Sequence, residues 1–287
     1  MVRKKVLGIV VLYHPNINQV VRNINRYISD IDYLIIWINS AIDSNDNKFI
    51  KMNLRSSNYC IQHSKNNAGL SIPYNYALDY AEHNGYDLLM TMDQDSYWVD
   101  IRSYLEPIKI LLTQKNNYGI FGPEIIPIEK SQNYCANQKK ISCVDHVISS
   151  GAVYITKEIR KIGGFKSNYY IDAIDEEICY RAKNNGIETA KVFEGKLIQE
   201  FGNRTPKRIL WIKTTTPNYS AMRYYYIVRN HIWLIKSKLI NKNKRKTIIH
   251  NYIFSPLVKV ILFESPKVTK LNSIFKGILD GIRGENR

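Results

Sequence analysis

The sequence is poor in cysteine and has no long apolar run. Its 287 residues include four cysteines, and no two of them show the C-x-x-C spacing of zinc and redox sites. We therefore expect reduced thiols in a cytosolic chain and no disulfide-linked framework. No uninterrupted apolar run reaches 18 residues, so a transmembrane helix is not expected either.

Two phosphate-binding fingerprints are also missing. Neither G-x-G-x-x-G nor G-x-x-x-x-G-K-[ST] occurs, which removes the sequence support for a dinucleotide-binding or P-loop protein.

The apolar start, Val6 to Tyr13, follows two lysines in the manner of a signal peptide. No small-residue cleavage site comes after it, so the pattern favours a strand.

Acidic residues are scarce in the C-terminal part of the chain. From Pro206 to Arg287 there are 17 lysines and arginines against 3 acidic residues, whereas residues 1–205 carry 24 against 22. We expect a nearly neutral domain over residues 1–205 and a basic, aromatic-rich helical region over residues 206–287. A basic surface attracts phosphates, in nucleic acid, anionic lipid or a phosphorylated substrate. Lysines and arginines scattered on solvated helix faces would explain part of the excess.

The first 128 residues alternate between strand-like and helix-like patterns. The predicted strands here are Val6–Tyr13, Tyr33–Ile38, Tyr59–Gln62, the run that starts at Asp87, and Tyr118–Phe121. Helical spacing of apolar residues separates them. This order predicts an α/β fold with a mostly parallel central sheet flanked by helices. A further strand is predicted over Val144–Ile155, where small residues would let a ligand approach the backbone.

Two carboxylates follow the strand that starts at Asp87. Asp93 and Asp95 come directly after its apolar run, and residues i and i+2 of an extended segment point to the same side. They would lie at the carboxyl end of a central strand, where open α/β sheets bind ligands. Two acids suit Mg²⁺ or Mn²⁺ that completes its shell with water and substrate phosphates. A solvated acidic turn is the alternative for a bare D-x-D.

A second acidic group opens a predicted helix. The apolar spacing from Ile171 to Ala182 is helical, so Asp172, Asp175 and Glu176 crowd the first turns. The helix dipole alone favours acidic residues there. A helix start directed at the first acidic pair would instead supply a carboxylate as general base.

Taken together, these segments resemble the family 2 glycosyltransferases, most closely their bacterial rhamnosyltransferase-like branch. The matching segments run in the expected order: Val10–Pro15, Asn67–Leu70 with Asn75 and Ala77, Asp93–Ser96, Ser149–Gly151, Ile162–Phe165, Ile171–Arg181 and Tyr224–Asn230. The resemblance implies a GT-A fold and inverting transfer of a sugar from a nucleotide-sugar donor. It also implies that Asp95, with Asp93 beside it, holds the metal that bridges the donor diphosphate.

The same resemblance implies roles for other residues. Asp175, six residues before Arg181, would deprotonate the acceptor hydroxyl, and Asp172 is the second candidate for this base. The nucleotide-sugar would lie along Tyr13, Pro15, Asn39, Asn67, Gly69 and Asp93.

Two positions depart from the family pattern. The second strand usually ends Asp-Asn in the family, whereas this chain has Ile38 and Asn39. Many relatives also carry histidine where this chain has Gln199. These departures leave the donor nucleotide and the metal dependence open.

The basic region predicts attachment to an anionic membrane surface. Its apolar stretch Tyr252–Phe263 is too short to span a bilayer and long enough to lie in the interface. A packed helical lid is the alternative. Relatives commonly act on polyprenyl-diphosphate-linked glycans, so the resemblance implies such an acceptor and a cytoplasmic enzyme at the inner face of the cell membrane. No recognisable nucleic-acid module occurs.

Two other function classes remain open from the sequence. A sugar nucleotidyltransferase would also use a parallel sheet and an acidic metal site. Its Gly-rich opening loop is missing here, and Tyr13-His14-Pro15 stands in that place. A non-catalytic basic protein of glycan assembly is the other class. Sugar transfer, as opposed to nucleotide or RNA binding alone, would distinguish the three.

Overall fold

The computed structural model describes residues 3–128, 140–200, 205–209 and 212–284. The chain forms two compact units. The first consists of Met1–Ser167 and Ile178–Glu200, and the second of Asn168–Glu177 and Phe201–Arg287. The predicted division at residue 205 stays a prediction.

Strands and helices alternate through the first unit. Its strands are β1 Val6–Leu12, β2 Tyr33–Ile38, β3 Tyr59–His63, β4 Leu88–Asp93, β5 Ser96–Trp98, β6 Tyr118–Pro127, β7 Ile141–Val144, β8 Val153–Ile155 and β9 Glu188–Gln199. The helices along this part of the chain are α1 Ile17–Ile24, α2 Ser44–Asn53, α3 Ser71–His83, α4 Arg102–Leu111, α5 Thr156–Lys161 and α6 Ile174–Asn184. Helix α6 begins in residues of the second unit.

The nine strands form one mixed sheet in the order β3-β2-β1-β4-β8-β6-β9-β5, with β7 paired to β9. The four strands β3, β2, β1 and β4 are all parallel, as their alternation with helices predicts. Strand β8 runs antiparallel to both β4 and β6, while β6 and β9 are parallel. The predicted α/β class is confirmed, and the parallel pairing is concentrated in the first half of the sheet.

Burial on both faces explains the strand sequences at the centre of this sheet. Every residue of β1 is buried, as are the first five of β4. Such strands need apolar side chains at successive positions and not only at alternate ones. Helix α1 covers the sheet with Ile17, Val20, Val21 and Ile24, and the side chain of Asn16 caps its first turn.

Two predicted strands have different bounds in the structure. The strand predicted over Val144–Ile155 is wrong as one element, because β7 ends at Val144 and β8 begins at Val153. A turn with Gly151 at φ +74° lies in between, a conformation that strand backbone does not adopt. The strand predicted over Tyr118–Phe121 is longer in the structure, where β6 continues through Pro123. The strand tolerates this proline because it lies beyond the residues that pair with β8 and at a register shift in the pairing with β9.

The second unit joins a β-hairpin to a group of helices. The hairpin pairs β10 Thr205–Ile209 with β11 Ile212–Thr216. The helices are α7 Ala221–Lys236, α8 Lys242–Ile248, α9 Ser255–Phe263 and α10 Lys267–Arg283, with a π-helical turn, Ile249–Phe254, between α8 and α9. The sequence pattern predicted helices here and missed the hairpin.

Helices α7 and α10 approach each other closely. A Cβ at Gly277 would lie 2.7 Å from the carbonyl oxygen of Tyr225, and one at Gly281 would lie 2.8 Å from Ile232. Tyr224, Ile227, Val228, Ile232, Val260 and Ile274 form the apolar core of the unit. The two glycines let α10 pack closely against α7, and Ile274 of α10 joins the shared core.

A buried ion pair ties the start of α10 to the rest of this core. Lys270 Nζ lies 2.9 Å from Glu264 Oε2 and donates to Asn218 Oδ1 at 2.7 Å. The hydroxyl of Tyr224 donates to Glu264 Oε1 at 2.8 Å. Both charged residues are almost fully buried, so each depends on the other for compensation.

Removing one partner of this pair should destabilise the protein strongly. We expect Lys270→Met to lower the free energy of unfolding by about 3 to 5 kcal/mol, since it leaves the Glu264 carboxylate buried and uncompensated. Lys267→Met, at an exposed position of the same helix, should change it by less than about 0.5 kcal/mol. Urea denaturation followed by circular dichroism measures both variants. Equal effects of the two substitutions would contradict the prediction.

Candidate functional site

The predicted ligand-binding residues of the first unit follow four neighbouring parallel strands. Tyr13 and Pro15 come after β1, Asn39 after β2, Asn67 and Gly69 after β3, and Asp93 and Asp95 at the end of β4. Because these strands are adjacent and parallel, their carboxyl ends form one edge of the sheet. We call this set of turns the carboxyl edge. Open α/β sheets bind their ligands at such an edge.

Asn39 holds the loop after β3 in place. Its Nδ2 donates to Asn67 Oδ1 at 2.8 Å and to the carbonyl oxygen of Gly69 at 2.9 Å. Its Oδ1 accepts from Ser64 Oγ at 2.9 Å and from the backbone N–H of Ala68 at 2.8 Å. The side chain is buried and its amide is committed to the protein. A direct contact of Asn39 with a nucleoside stays a prediction, whereas its role in shaping the loop is observed.

Gln94 connects the turn after β4 to the turn after β1. Its Oε1 accepts from the backbone N–H of Tyr13 at 2.8 Å, and its Nε2 donates to the Tyr13 carbonyl oxygen at 3.1 Å. Its own carbonyl oxygen accepts from Asn23 Nδ2 at 3.1 Å. The amide thus fixes the backbone of Tyr13, a residue that is 44% exposed at the edge. Sequence reasoning treated Gln94 as a spacer between two acids.

The two acids do not occupy one strand. Strand β4 ends at Asp93, and Gln94 and Asp95 form a turn before β5. The extended-segment argument for their common direction is therefore wrong, because a turn and not a strand separates them. Both side chains are half-buried at the same edge. Their partnership in binding a metal stays a prediction.

Gln199 contacts the first of these acids. Strand β5 pairs antiparallel with β9, and this register places Ser96 opposite Gln199. Gln199 Nε2 donates to Asp93 Oδ2 at 3.1 Å. The position at which the family pattern predicts histidine thus supplies an N–H donor to the acidic turn, from an amide and not from an imidazole. The sequence alone could not show this contact because 106 residues separate the partners.

The Ser149–Gly151 turn adjoins the same strand end. The backbone N–H of Gly151 donates to the carbonyl oxygen of Thr91 at 2.8 Å, and Thr91 Oγ1 donates to that of Ser149 at 2.5 Å. Ser150 Oγ donates to Ser96 Oγ at 2.9 Å in a buried contact. A Cβ at Gly151 would lie 2.9 Å from both Leu197 and Pro123. Glycine here lets the turn pack against the acidic segment.

Other residues of the matching motifs have structural roles. Asn75 on α3 donates to the carbonyl oxygen of Phe165 at 2.6 Å and accepts from its N–H at 2.8 Å. Arg181 donates to the carbonyl oxygens of Ile162 and Gly164, the latter at 2.7 Å. These contacts hold a turn with two glycines in left-handed conformations, Gly163 and Gly164. These contacts give Asn75, Arg181 and the two glycines structural roles that require no ligand.

The acidic segment of the second unit runs from Asp172 to Glu177. Asp172 and Ala173 both have left-handed backbone, with φ of 62° and 61°. Asn230 on α7 donates through Nδ2 to the carbonyl oxygens of Ile171 at 2.8 Å and Asp172 at 3.0 Å. Helix α6 begins at Ile174, so Asp175 lies in its first turn.

The two predicted base residues differ in their surroundings. Arg223 on α7 donates to both carboxylate oxygens of Asp172, each at 3.2 Å. The side chain of Asp175 is half-buried, and burial together with the Glu176 and Asp172 carboxylates raises its pKa to about 6. A carboxylate with a pKa near neutrality is a suitable general base, whereas both oxygens of Asp172 already accept from Arg223.

Glu176 points into the core of the second unit. Its Oε2 lies 3.1 Å from Nε2 of His231, and both side chains are buried. Tyr252 stacks on the His231 ring with centroids 3.6 Å apart and donates from its hydroxyl to Glu176 Oε1 at 3.4 Å. Glu176 is therefore an internal partner in this unit.

A cavity of about 650 Å³ lies on the first unit away from the carboxyl edge. Its lining includes Lys4, Asp87, Tyr118 and Ile187, which precede or begin parallel strands. It belongs to the opposite, amino end of these strands. The volume of a cavity therefore does not by itself identify the predicted ligand-binding edge of this sheet.

The chemistry of the carboxyl edge fits a divalent metal held partly by substrate. Asp93 and Asp95 offer hard oxygen ligands at one turn. Among residues 3–128, 140–200, 205–209 and 212–284, no group of three or more His, Cys, Asp or Glu side chains could hold a metal ion. Substrate and water oxygens would thus have to complete the coordination of Mg²⁺ or Mn²⁺.

Comparison with known proteins supports a glycosyltransferase. The chain is 27% identical over 304 aligned positions to the dTDP-rhamnosyl transferase RfbF of Shigella flexneri, covering 97% of this chain and 96% of that protein. No protein-family model matches the chain. The predicted resemblance to bacterial rhamnosyltransferase-like glycosyltransferases is confirmed.

Solved structures agree on the fold. A mannosyltransferase of Pyrobaculum calidifontis with GDP-Man and Mn²⁺ superposes with a TM-score of 0.59 at 12% identity, over 94% of this chain and 74% of that one. Residues 1–349 of S. aureus TarS with UDP-GlcNAc give 0.57 at 12%, over 96% and 81%. GalNAc-T7 with UDP, GalNAc and Mn²⁺ gives 0.57 at 10%, over 87% of this chain and about half, 54%, of that one. The GT-A fold is confirmed.

The ionisation of Asp175 predicts an unusual stability change. An aspartate has a pKa of about 3.9 in the unfolded chain, and that of Asp175 is about 6 in the folded one. The folded protein binds more protons between these values, so stability falls as pH rises from about 4 to about 6. Asp175→Asn removes this loss and should raise the melting temperature at pH 7.5 but not at pH 4.

Thermal denaturation at the two pH values measures this effect. Asp172→Asn is the matched control, because it weakens the pair with Arg223 and should lower the melting temperature at pH 7.5. A lower melting temperature for Asp175→Asn at pH 7.5 would show that its carboxylate is stabilising and that its pKa is not raised.

Proposed function

We propose that this chain, which has the GT-A fold and is rhamnosyltransferase-like over nearly its whole length, transfers a sugar from a nucleotide-sugar donor to a hydroxyl of a glycan acceptor. The observation that carries the proposal is the acidic turn Asp93–Asp95 at the carboxyl edge of four parallel strands. The relatives support it, because one is a dTDP-rhamnosyl transferase and structural neighbours hold UDP, UDP-GlcNAc or GDP-Man.

The donor would bind along the carboxyl edge. Tyr13 and Pro15 would line the nucleoside, with the backbone of Tyr13 fixed by Gln94. Asn67 and Gly69 would form the wall that Asn39 holds in place. Asp93 would lie between ribose and metal, oriented by Gln199.

Asp95 and Asp93 would hold the divalent metal. Mg²⁺ or Mn²⁺ bound there would neutralise the charge that develops on the departing nucleoside diphosphate. Two of the neighbouring structures contain Mn²⁺. The protein's own contribution is to keep the two carboxylates at the strand end, which the amides of Gln94 and Gln199 do by fixing both sides of the turn.

Transfer would be inverting, with Asp175 as the base. Its carboxylate accepts the proton of the acceptor hydroxyl while that oxygen attacks the anomeric carbon. The bond from that carbon to the diphosphate oxygen breaks, and its electron pair leaves with the nucleoside diphosphate. Asp175 suits this role better than Asp172, because Arg223 neutralises the Asp172 carboxylate.

Substituting the two aspartates should separate donor binding from transfer. Asp95→Asn should abolish metal-dependent donor affinity, because it removes a charged metal ligand. Asp175→Asn should keep that affinity and lower single-turnover transfer by about 10² to 10⁴-fold, because it removes the proton acceptor.

Calorimetry and single-turnover transfer, with a panel of nucleotide sugars that includes dTDP-rhamnose, measure the two effects. Asp172→Asn is the matched control. Near-normal transfer by Asp175→Asn together with an inactive Asp172→Asn would assign the base to Asp172. Full activity of the wild type in chelator would remove the metal from the proposal.

The acceptor would be a glycan on a polyprenyl-diphosphate lipid in cell-surface polysaccharide synthesis, and the enzyme would bind the inner face of the cell membrane. From residue 236 to residue 263 there are seven basic residues and no acidic one. Within the described ranges no helix is both long and apolar enough to span a bilayer.

Helix α10 has an exposed apolar stripe next to this basic segment in sequence. Val268, Phe275, Leu279 and Ile282 recur at helical spacing, and each is more than half exposed. The opposite face, with Ile274 and Gly277, packs in the unit. An amphipathic helix flanked by lysines and arginines is suited to the interface of an anionic bilayer.

Liposome flotation should show salt-sensitive binding to anionic vesicles, because each basic residue near such a surface contributes about 1 kcal/mol. Phe275→Ser should weaken binding roughly tenfold to a hundredfold, since burying a phenylalanine contributes about 1.5 to 3 kcal/mol. Ile110→Ser, at an exposed position of α4, is the control and should bind normally. Equal binding to neutral vesicles would reject the electrostatic part, and unchanged binding of Phe275→Ser would reject the α10 stripe.

A further inference from the structure

The cavity at the amino ends of the parallel strands has the size of a ligand site. It is lined by residues of the first unit, and its 650 Å³ is within the range of about 300 to 1,000 Å³ typical of small-molecule sites. Asp87 lines it, and strand β4 then runs to Asp93 at the carboxyl edge, about 20 Å away for six residues. A small ligand in this cavity would therefore not occupy the carboxyl edge.

The charged groups of the lining are compensated within the protein. They are three carboxylates and two lysines: Glu82, Asp87, Glu158, Lys4 and Lys157. Each of the three carboxylates has a basic partner at 2.7 to 2.9 Å. A lining with more carboxylates than lysines, in which every carboxylate is already paired, disfavours a phosphate or another anion. The charges thus favour a neutral ligand.

Neutral polar side chains also line this cavity. They include amides, phenols and a hydroxyl, from Gln114, Asn117, Asn185, Tyr86, Tyr118 and Thr156. Toward the part of the chain that the structure describes, the amides of Gln114 and Asn117 make no side-chain hydrogen bond, and Asn185 uses only its Nδ2, which donates to the carbonyl oxygen of Arg181. These amides can therefore donate to a ligand and accept from it.

The hydroxyl of Thr156 is a buried group without a partner. Thr156 is 4% exposed, and its enclosed Oγ1 forms no hydrogen bond within the described ranges. Its backbone N–H donates to the carbonyl oxygen of Asp87 at 2.9 Å, so the residue is fixed at the wall of the cavity. Burying a hydroxyl without a hydrogen bond costs stability, and a ligand hydroxyl could supply the missing partner because hydroxyls both donate and accept.

We propose that this cavity is a second sugar-binding site, which takes a short neutral segment of a glycan. A sugar ring presents several hydroxyls that donate and accept, and a carboxamide offers groups of both kinds. The C–H faces of the ring pack on aromatic side chains, and Tyr86 and Tyr118 are both half-buried in the lining. The choice of a glycan among neutral polyhydroxyl ligands rests on the proposed function, in which the acceptor is a glycan.

Methyl NMR observes this cavity directly. Ile155 and Ile187 line it, so full-length protein labelled at isoleucine methyl groups reports a ligand there, with the two signals assigned from Ile155→Val and Ile187→Val. The probes are neutral mono- and trisaccharides of rhamnose, galactose, glucose and N-acetylglucosamine at millimolar concentrations. Both signals should shift in a saturable manner. The signal of Ile261, an exposed isoleucine of the second unit, should not shift.

Two substitutions test the polar groups. Asn117→Ala should weaken binding about two- to tenfold, because it removes an amide that bonds the sugar. Asn58→Ala is the matched control: both asparagines are exposed, precede the tyrosine that begins a strand and accept a strand N–H through the backbone, but Asn58 lies outside the lining. Thr156→Val should weaken binding by a similar factor and yet raise the melting temperature without sugar, because a methyl replaces an unpartnered hydroxyl.

Absence of a saturable shift at both methyl groups with every probe would overturn the proposal. Unchanged affinity in both Asn117→Ala and Thr156→Val would do the same, and tighter binding of glucose 6-phosphate than of glucose would overturn the neutral class of ligand. Asp95→Asn should leave the shifts intact, because that residue lies at the carboxyl edge. Methyl shifts in a protein that transfers no sugar would reject the proposed function alone, whereas transfer without methyl shifts would reject this site alone.

Discussion

One face of helix α7 holds the acidic segment of the second unit. Left-handed backbone at two successive residues that are not glycine, Asp172 and Ala173, costs roughly 1 to 2 kcal/mol at each. Asn230 offsets this cost by donating to the two carbonyl oxygens that the turn leaves without helical partners. Arg223 and His231 lie seven residues before and one after Asn230, and contact Asp172 and Glu176. The whole acidic segment therefore depends on helix α7.

This arrangement gives adjacent acids different chemistry. Asp172 pairs with a guanidinium, Glu176 with an imidazole, and Asp175 lies between them with its ionisation opposed by burial. The proposed base is thus distinguished by what surrounds it and not by its chemical type, since all four acids of this segment carry a carboxylate. In many active sites the surroundings push the pKa values of neighbouring groups apart. The difference then indicates which group acts as the acid and which as the base.

The sequence predicted the elements better than the contacts. Buried runs such as Val6–Leu12 and the helix around Asp175 follow from local patterns, and so does the placement of four loops at one edge. The roles of Asn39, Gln94 and Gln199 could not be predicted, because each acts through an amide bonded to residues far along the chain. The raised pKa of Asp175 was equally out of reach, since burial arises only after folding. The hairpin before α7 was missed because its strands are short and polar.

Gln199 has a consequence for how the enzyme would respond to acidity. Histidine at that position would gain a charge near neutral pH, and the acidic turn would then meet a cation at low pH and a neutral ring at high pH. The amide of Gln199, which donates to Asp93, gains no charge near neutral pH. Proton concentration is therefore not sensed through this contact on the nucleotide side. Under the proposed function, acidification would act on the carboxylate that receives the acceptor's proton and not on the donor atom of this contact.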